Sequence, residues 1–137
     1  MQDKVKLVKA DIGIALDGDA DRLAVVDENG EVVHGDKIIA LIAEELHSNG
    51  LLKQDKVVIT QMSNLAIEKY FEYLGISTIR VGVGDRYVLE GIKNNNCNFG
   101  GEQSGHIVLS DFSSTGDGLV ASLKLLSILK SSGKKMS

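Results

Sequence analysis

Three carboxylates stand at alternate positions in the run Asp17-Gly18-Asp19-Ala20-Asp21-Arg22. The small residues between them, Gly18 and Ala20, let the backbone curl so that the oxygens converge. Like charges at that spacing repel one another unless a cation neutralises them. Oxygen-only donors favour a hard divalent ion, Mg2+ or Ca2+. Three carboxylates leave Mg2+ open positions for water or phosphate oxygens, as phosphoryl transfer requires. The plain alternative is a solvated acidic turn. A second alternative is an EF-hand calcium loop, since Asp17, Asp19, Asp21 and Glu28 match its spacing. Arg22, however, stands where that loop needs glycine, and the flanks read as strands instead of helices.

A second constellation is Gly100-Gly101-Glu102-Gln103-Ser104-Gly105-His106. Its glycines allow close backbone approach by a ligand. Glu102, Gln103 and Ser104 offer donors and acceptors suited to sugar hydroxyls, and a polar hairpin turn is the alternative. His106 has two readings, proton transfer or phosphate contact on one hand and a hydrogen-bonded loop residue on the other. Gly82-Val83-Gly84-Asp85-Arg86 joins a strand to a helix, where an anion can sit on the helix N-terminus. It lacks the dinucleotide and P-loop patterns. Arg86 there is either a phosphate contact or a solvated first-turn residue. Ser114 to Gly118 is chiefly a helix start, with Asp117 read as a cap.

The elements that carry these loops alternate in type. Strands are expected over Asp11 to Leu16, Leu23 to Val26 and Glu31 to His34, the last two joined by the turn at Glu28-Asn29-Gly30. Helical spacing runs from Asp36 to Asn49 and is closed by Gly50. A strand at Lys56 to Thr60, a helix at Asn64 to Leu74 ended by Gly75, and a strand at Ser77 to Val81 follow. The next helix, Asp85 to Lys93, takes Asp85 as its N-cap. Phe99 to Glu102 and Ile107 to Leu109 read as strands, and Asp117 to Leu129 as the last helix. The fold class is α/β: a three-layer α/β/α domain with a mixed, mainly parallel sheet. The early hairpin is expected to make that sheet mixed.

A chain of 137 residues supports one domain with a core. Residues 1–10 and 131–137 read as boundary or frayed segments. Net charge is −4 with basic residues scattered, which excludes a nucleic-acid footprint. The single cysteine, Cys97, permits no internal disulfide and reads as a packing thiol. No apolar run is long enough to span a membrane and the first residues do not resemble a signal peptide, so the cytoplasm is the expected compartment.

Four motifs in order resemble the α-D-phosphohexomutase superfamily, its third, central domain in particular. They are DGDADR at Asp17 to Arg22, VGDRYVLE at Val83 to Glu90, GGEQSGH at Gly100 to His106 and TGDG at Thr115 to Gly118. The resemblance covers nearly the whole chain. Gln103 in the third motif and the GDRYV form of the second are closer to the phosphoglucosamine mutase branch than to the phosphomannomutase/phosphoglucomutase branch. The resemblance implies a four-domain enzyme that interconverts glucosamine 6-phosphate and glucosamine 1-phosphate through a bisphosphate, using a phosphoserine on another domain. It implies Mg2+ held by Asp17, Asp19 and Asp21. It also implies sugar contacts from Glu102, Ser104 and Gln103, a phosphate contact from Arg86, and catalytic roles for His106 and Arg22. Gly82 departs from the family, which carries lysine before this turn. The implied partners are a hexosamine phosphate and the other domains of the same enzyme. The chain reads as an excised domain, inactive alone, because the phosphoserine and the fourth domain's phosphate loop are missing from it. The alternatives are a domain of a mannose or glucose phosphate mutase, or a non-catalytic metal- or sugar-phosphate-binding module.

Overall fold

The computed structural model describes all 137 residues. Helix α1 (Gln2–Val8) leads into a hairpin sheet of β1 (Ile12–Leu16), β2 (Leu23–Asp27) and β3 (Val32–Val33). Helix α2 (Gly35–Ser48) and a short 3-10 turn precede β4 (Lys56–Thr60), α3 (Leu65–Leu74) and β5 (Ser77–Val81). Then come α4 (Asp85–Asn94), β6 (Phe99–Gly101), β7 (Ile107–Leu109) and α5 (Gly118–Ser132).

The main sheet has the order β5-β4-β6-β7. Its β4 pairs are parallel and β6–β7 is antiparallel, so it is mixed and mainly parallel. The two-residue period of β4 divides the molecule into layers. Val57 and Ile59 join the large cluster with Ile39 and Ile42 of α2, Ile67 and Phe71 of α3, and Leu125 of α5. Val58, between them, faces the other way and packs with Val88 and Ile92 of α4, Cys97 and Val108. Cys97 is buried, and burial pushes its thiol up from the ordinary value, which suits packing and not nucleophilic attack.

The hairpin does not join the main sheet, contrary to the reading from sequence. The hairpin forms a three-stranded sheet of its own, and the two sheets are paired only at the isolated Arg22–His106 bridge. Apolar packing makes the larger connection, because Leu23 and Val25 belong to the same cluster as α2, α5 and β4.

Helix ends follow local chemistry. Asn64 caps α3 through a 2.9 Å bond from the Ala66 N–H, and Gly75 closes it in the left-handed region. Asp85 is not the N-cap of α4. Gly84 holds that position with φ 132°, which a side chain would strain, and Asp85 is the first helical residue. Residues 2–8, expected to be a boundary segment, form a helix that buries Val5 and ties Gln2 to the Gly30 carbonyl. At the other end α5 runs on to Ser132, because no breaker precedes Gly133. Ser137 donates its hydroxyl to Glu28 at 2.6 Å. No helix is long and apolar enough to cross a membrane.

Asp117 accepts from the Leu119 and Val120 N–H groups, each at 3.0 Å, and so caps α5. Asp117→Ala should cost about 1 kcal/mol, read as a lowered midpoint in urea denaturation with an unchanged slope.

Candidate functional site

The parallel strands β4, β5 and β6 end on one edge, at Thr60, Val81 and Gly101. In open α/β sheets ligands sit beyond those ends. A cleft of about 250 Å³ lies there, lined by Arg22, Thr60, Met62, Gly84, Glu102 and Ser104 among others. Each glycine-rich motif contributes a wall, and backbone bonds fix how the walls meet.

The loop after β6 is set by its own turn. Gly105 N donates to the Glu102 carbonyl at 3.0 Å, and Glu102 N donates to the His106 carbonyl at 2.8 Å. Glu102 is buried, and its carboxylate accepts from the Gly84 N–H at 2.9 Å. One charged side chain thus locks the Gly82-to-Arg86 turn to the polar loop. Gln103 and Ser104 are left facing the cleft, Ser104 exposed. The cleft wall after β4 is stapled by Arg80, whose guanidinium donates to the carbonyls of Thr60, Gln61 and Ser63. Its 2.6 Å bond to Glu68 holds that carboxyl below its ordinary range. Arg80 is therefore committed to the scaffold.

The acidic loop is anchored at its base. Leu23 N donates to the Gly105 carbonyl at 3.0 Å, and Arg22 bridges His106. The first residue of α5, Gly118, donates its N–H to the Ala20 carbonyl at 2.9 Å. Within the loop, Ala20 N reaches the Asp17 carbonyl and Arg22 N reaches the Asp17 carboxylate at 3.3 Å. Ala20 accepts a left-handed φ of 58° at the tip.

The predicted site residues separate into groups. Arg22, Glu102, Gln103 and Ser104 line the cleft. Asp17 and Asp19 are exposed on the loop above it. Asp21 does not gather with them; the three side chains whose ligand atoms lie within 4.8 Å of one another are Asp21, Asp85 and His106. His106 is only 2% exposed, with the Asp21 carboxylate 3.3 Å and the Asp85 carboxylate 3.5 Å from its Nδ1. Arg86 is not brought into the cleft: its side chain is 84% exposed and bonds Glu90 one turn on. Sequence reading assigned Asp85 to capping and passed over Thr60 and Met62. Thr60 was accessible to reasoning as the last residue of a buried parallel strand. Asp85 was not, because its partner is 21 residues away along the chain.

Residues 34–137 match the family model described as phosphoglucomutase/phosphomannomutase, alpha/beta/alpha domain III. The chain belongs to this phosphohexomutase family. The phosphoglucosamine mutase of Methylocella silvestris is 54% identical over 134 residues, 98% of this chain and 30% of that relative. The chain therefore spans about 30% of the length of the curated relatives it matches. A putative phosphomannomutase of Thermus thermophilus shares the fold at TM-score 0.88 and 24% identity, over 98% of this chain and 30% of its own. The N-acetylphosphoglucosamine mutase of Aspergillus fumigatus, solved with GlcNAc-6P and magnesium, superposes at TM-score 0.70 and 20% identity, over 90% of this chain and 31% of its own. In this phosphohexomutase domain the matched stretch begins at His34. The acidic loop precedes it, and the backbone bonds to Gly105 and Gly118 join the two.

Proposed function

We propose that this chain is the part of a phosphoglucosamine mutase that reads the sugar and holds the metal. It would act with other domains of one longer cytoplasmic enzyme to interconvert glucosamine 6-phosphate and glucosamine 1-phosphate. The observation that carries the reading is the convergence of the acidic loop, the Gly84 turn, the Glu102 loop and the start of α5 on one sheet edge. Identity to phosphoglucosamine mutases favours glucosamine phosphates over mannose or glucose phosphates.

Ser104 and Gln103 would hydrogen-bond sugar hydroxyls. Glu102 keeps one carboxylate oxygen on the Gly84 N–H and offers the other to the sugar. Arg22, at the cleft wall, would face phosphate oxygens without ever giving up its proton. Asp17, Asp19 and Asp21 fit a hard cation by donor chemistry: all are oxygen donors, at alternate positions of one short loop. A bound Mg2+ supplies charge neutralisation to a transferring phosphoryl group. The Aspergillus relative solved with magnesium supports that choice of ion. The phosphoryl group would come from a serine on another domain, leave its oxygen for a sugar hydroxyl, and return from the other end of the sugar as a bisphosphate turns over. Because this chain holds the metal and sugar loops but no donor, it would not turn over alone.

Two tests address the parts separately. Adding Mg2+ to the chain should move the amides of Gly18 to Arg22 first in NMR spectra. The same shifts in a chain carrying both Asp19→Ala and Asp21→Ala would remove the metal assignment. In the full-length enzyme, Glu102→Ala and Ser104→Ala should each lower kcat/KM for glucosamine 6-phosphate. Loss of a hydrogen bond to a charged group costs about 1.5–3 kcal/mol, roughly 10- to 150-fold. Unchanged kcat/KM in both variants would sink the sugar-loop reading.

A further inference from the structure

Behind the acidic loop, three side chains from three elements come together. Asp21 comes from the loop, Asp85 from the first turn of α4 and His106 from the residue just before β7. His106 is buried, and neither ring nitrogen has a hydrogen-bond partner. A buried imidazole without one is rare, because an unpaired polar group there loses its hydration for nothing. Gly116 lies close against its ring, since a Cβ there would collide with Cε1 and both nitrogens. The Nδ1 points at two carboxylates whose side chains are 28% and 44% exposed, so an ion reaches the group from the carboxylate side.

The separations have a meaning of their own. The Nδ1 lies 3.3 Å from the Asp21 oxygen and 3.5 Å from the Asp85 oxygen. A tetrahedral zinc site with bonds of about 2.1 Å puts its ligand atoms about 3.4 Å apart. One nitrogen and two carboxylate oxygens also suit a borderline ion better than magnesium, which prefers an all-oxygen octahedron.

We propose that Asp21, Asp85 and His106 form a binding site for a divalent transition metal, zinc in type, with a fourth position open to water. The site is distinct in donors from the three-aspartate loop but shares Asp21 with it. If the loop holds magnesium as proposed above, zinc on the histidine side withdraws one of its carboxylates. Each ion then weakens the other by the same factor. Zinc would act as a brake on the magnesium-dependent site, and the buried imidazole would make that brake selective for ions that accept nitrogen.

Cobalt is the probe, because tetrahedral Co2+ gives strong visible absorption that hydrated Co2+ lacks. The chain should take up one equivalent with a tetrahedral spectrum, and Zn2+ should displace it. Asp85→Asn should weaken uptake at least about tenfold, and His106→Gln should abolish it. Circular dichroism checks folding, and Asp85, half exposed, keeps the test sound if His106→Gln unfolds. Asp19→Asn should keep the cobalt spectrum while losing the Mg2+-induced shifts, which separates this site from the magnesium reading. Wild-type chain giving only the weak spectrum of hydrated cobalt would overturn the proposal. So would a spectrum that survives Asp85→Asn and vanishes with Asp19→Asn.

Discussion

Gly105→Ala is expected to lower the thermal midpoint of this chain by on the order of 10 °C. Gly105 has φ +91°, and a Cβ built there collides with the carbonyl oxygen of Leu23. The left-handed strain alone costs about 1–3 kcal/mol. The collision adds to it, because Leu23 is held on both sides: it pairs with Leu16 in the hairpin, and its N–H donates to the Gly105 carbonyl. Neither partner can retreat without opening the junction between the acidic loop and the sugar loop. A total of about 3 kcal/mol or more follows. Gly18→Ala is the control. A Cβ there meets nothing within 4 Å and its φ is ordinary, so its effect should stay within about 0.5 kcal/mol. Equal midpoints for the two variants, by calorimetry, would show that the junction at Gly105 yields easily.

The largest effect on activity is expected from the chain as it stands. Purified and supplied with Mg2+, glucosamine 6-phosphate and a sugar bisphosphate, it should show no turnover above an Asp19→Asn control. Phosphoryl transfer depends on positioning and charge stabilisation around the transferring group. The cleft offers Arg22, Glu102 and Ser104 for that, whereas the proposed function places the serine that gives and receives the phosphoryl group on another domain. The same sample should unfold cooperatively by circular dichroism, since one apolar cluster joins both sheets through α2 and α5. Turnover above the control would place a phosphoryl acceptor within these residues and undo the division of labour proposed here.

Much of the fold was legible because local signals agreed with tertiary ones. Lys56 to Thr60 is a bounded run of β-branched residues, and Asn64 and Gly75 bracket a helix with matching cap chemistry. The four loops were legible from residue type and order. Pairing across sequence distance was not. Nothing local indicates that the hairpin keeps to itself, because the order of the main sheet is set by pairings between strands far apart in the chain. Asp85 looked like a cap from its neighbours, yet Gly84 takes that place. Its N–H is bound to a carboxylate 18 residues on, a partner that no neighbouring residue announces. Arg86 shows the same limit in reverse: in sequence it sits beside the turn, but helical geometry swings it toward Glu90 and away from the cleft.

The central claim is that the acidic loop and the polar loop after β6 serve one sugar-phosphate site. It is tested most directly by titrating glucosamine 6-phosphate into the isotope-labelled chain, with and without Mg2+, and following amide shifts. The Gly84 N–H, bound to the Glu102 carboxylate at 2.9 Å, is the internal reporter, because any ligand drawn to that carboxylate must disturb it. The account predicts saturable shifts at Arg22, Gly84 and Glu102 to Ser104, larger when Mg2+ occupies the loop. Shifts that leave Arg22, Gly84 and Glu102 to Ser104 unmoved, or none at millimolar sugar phosphate, would contradict it.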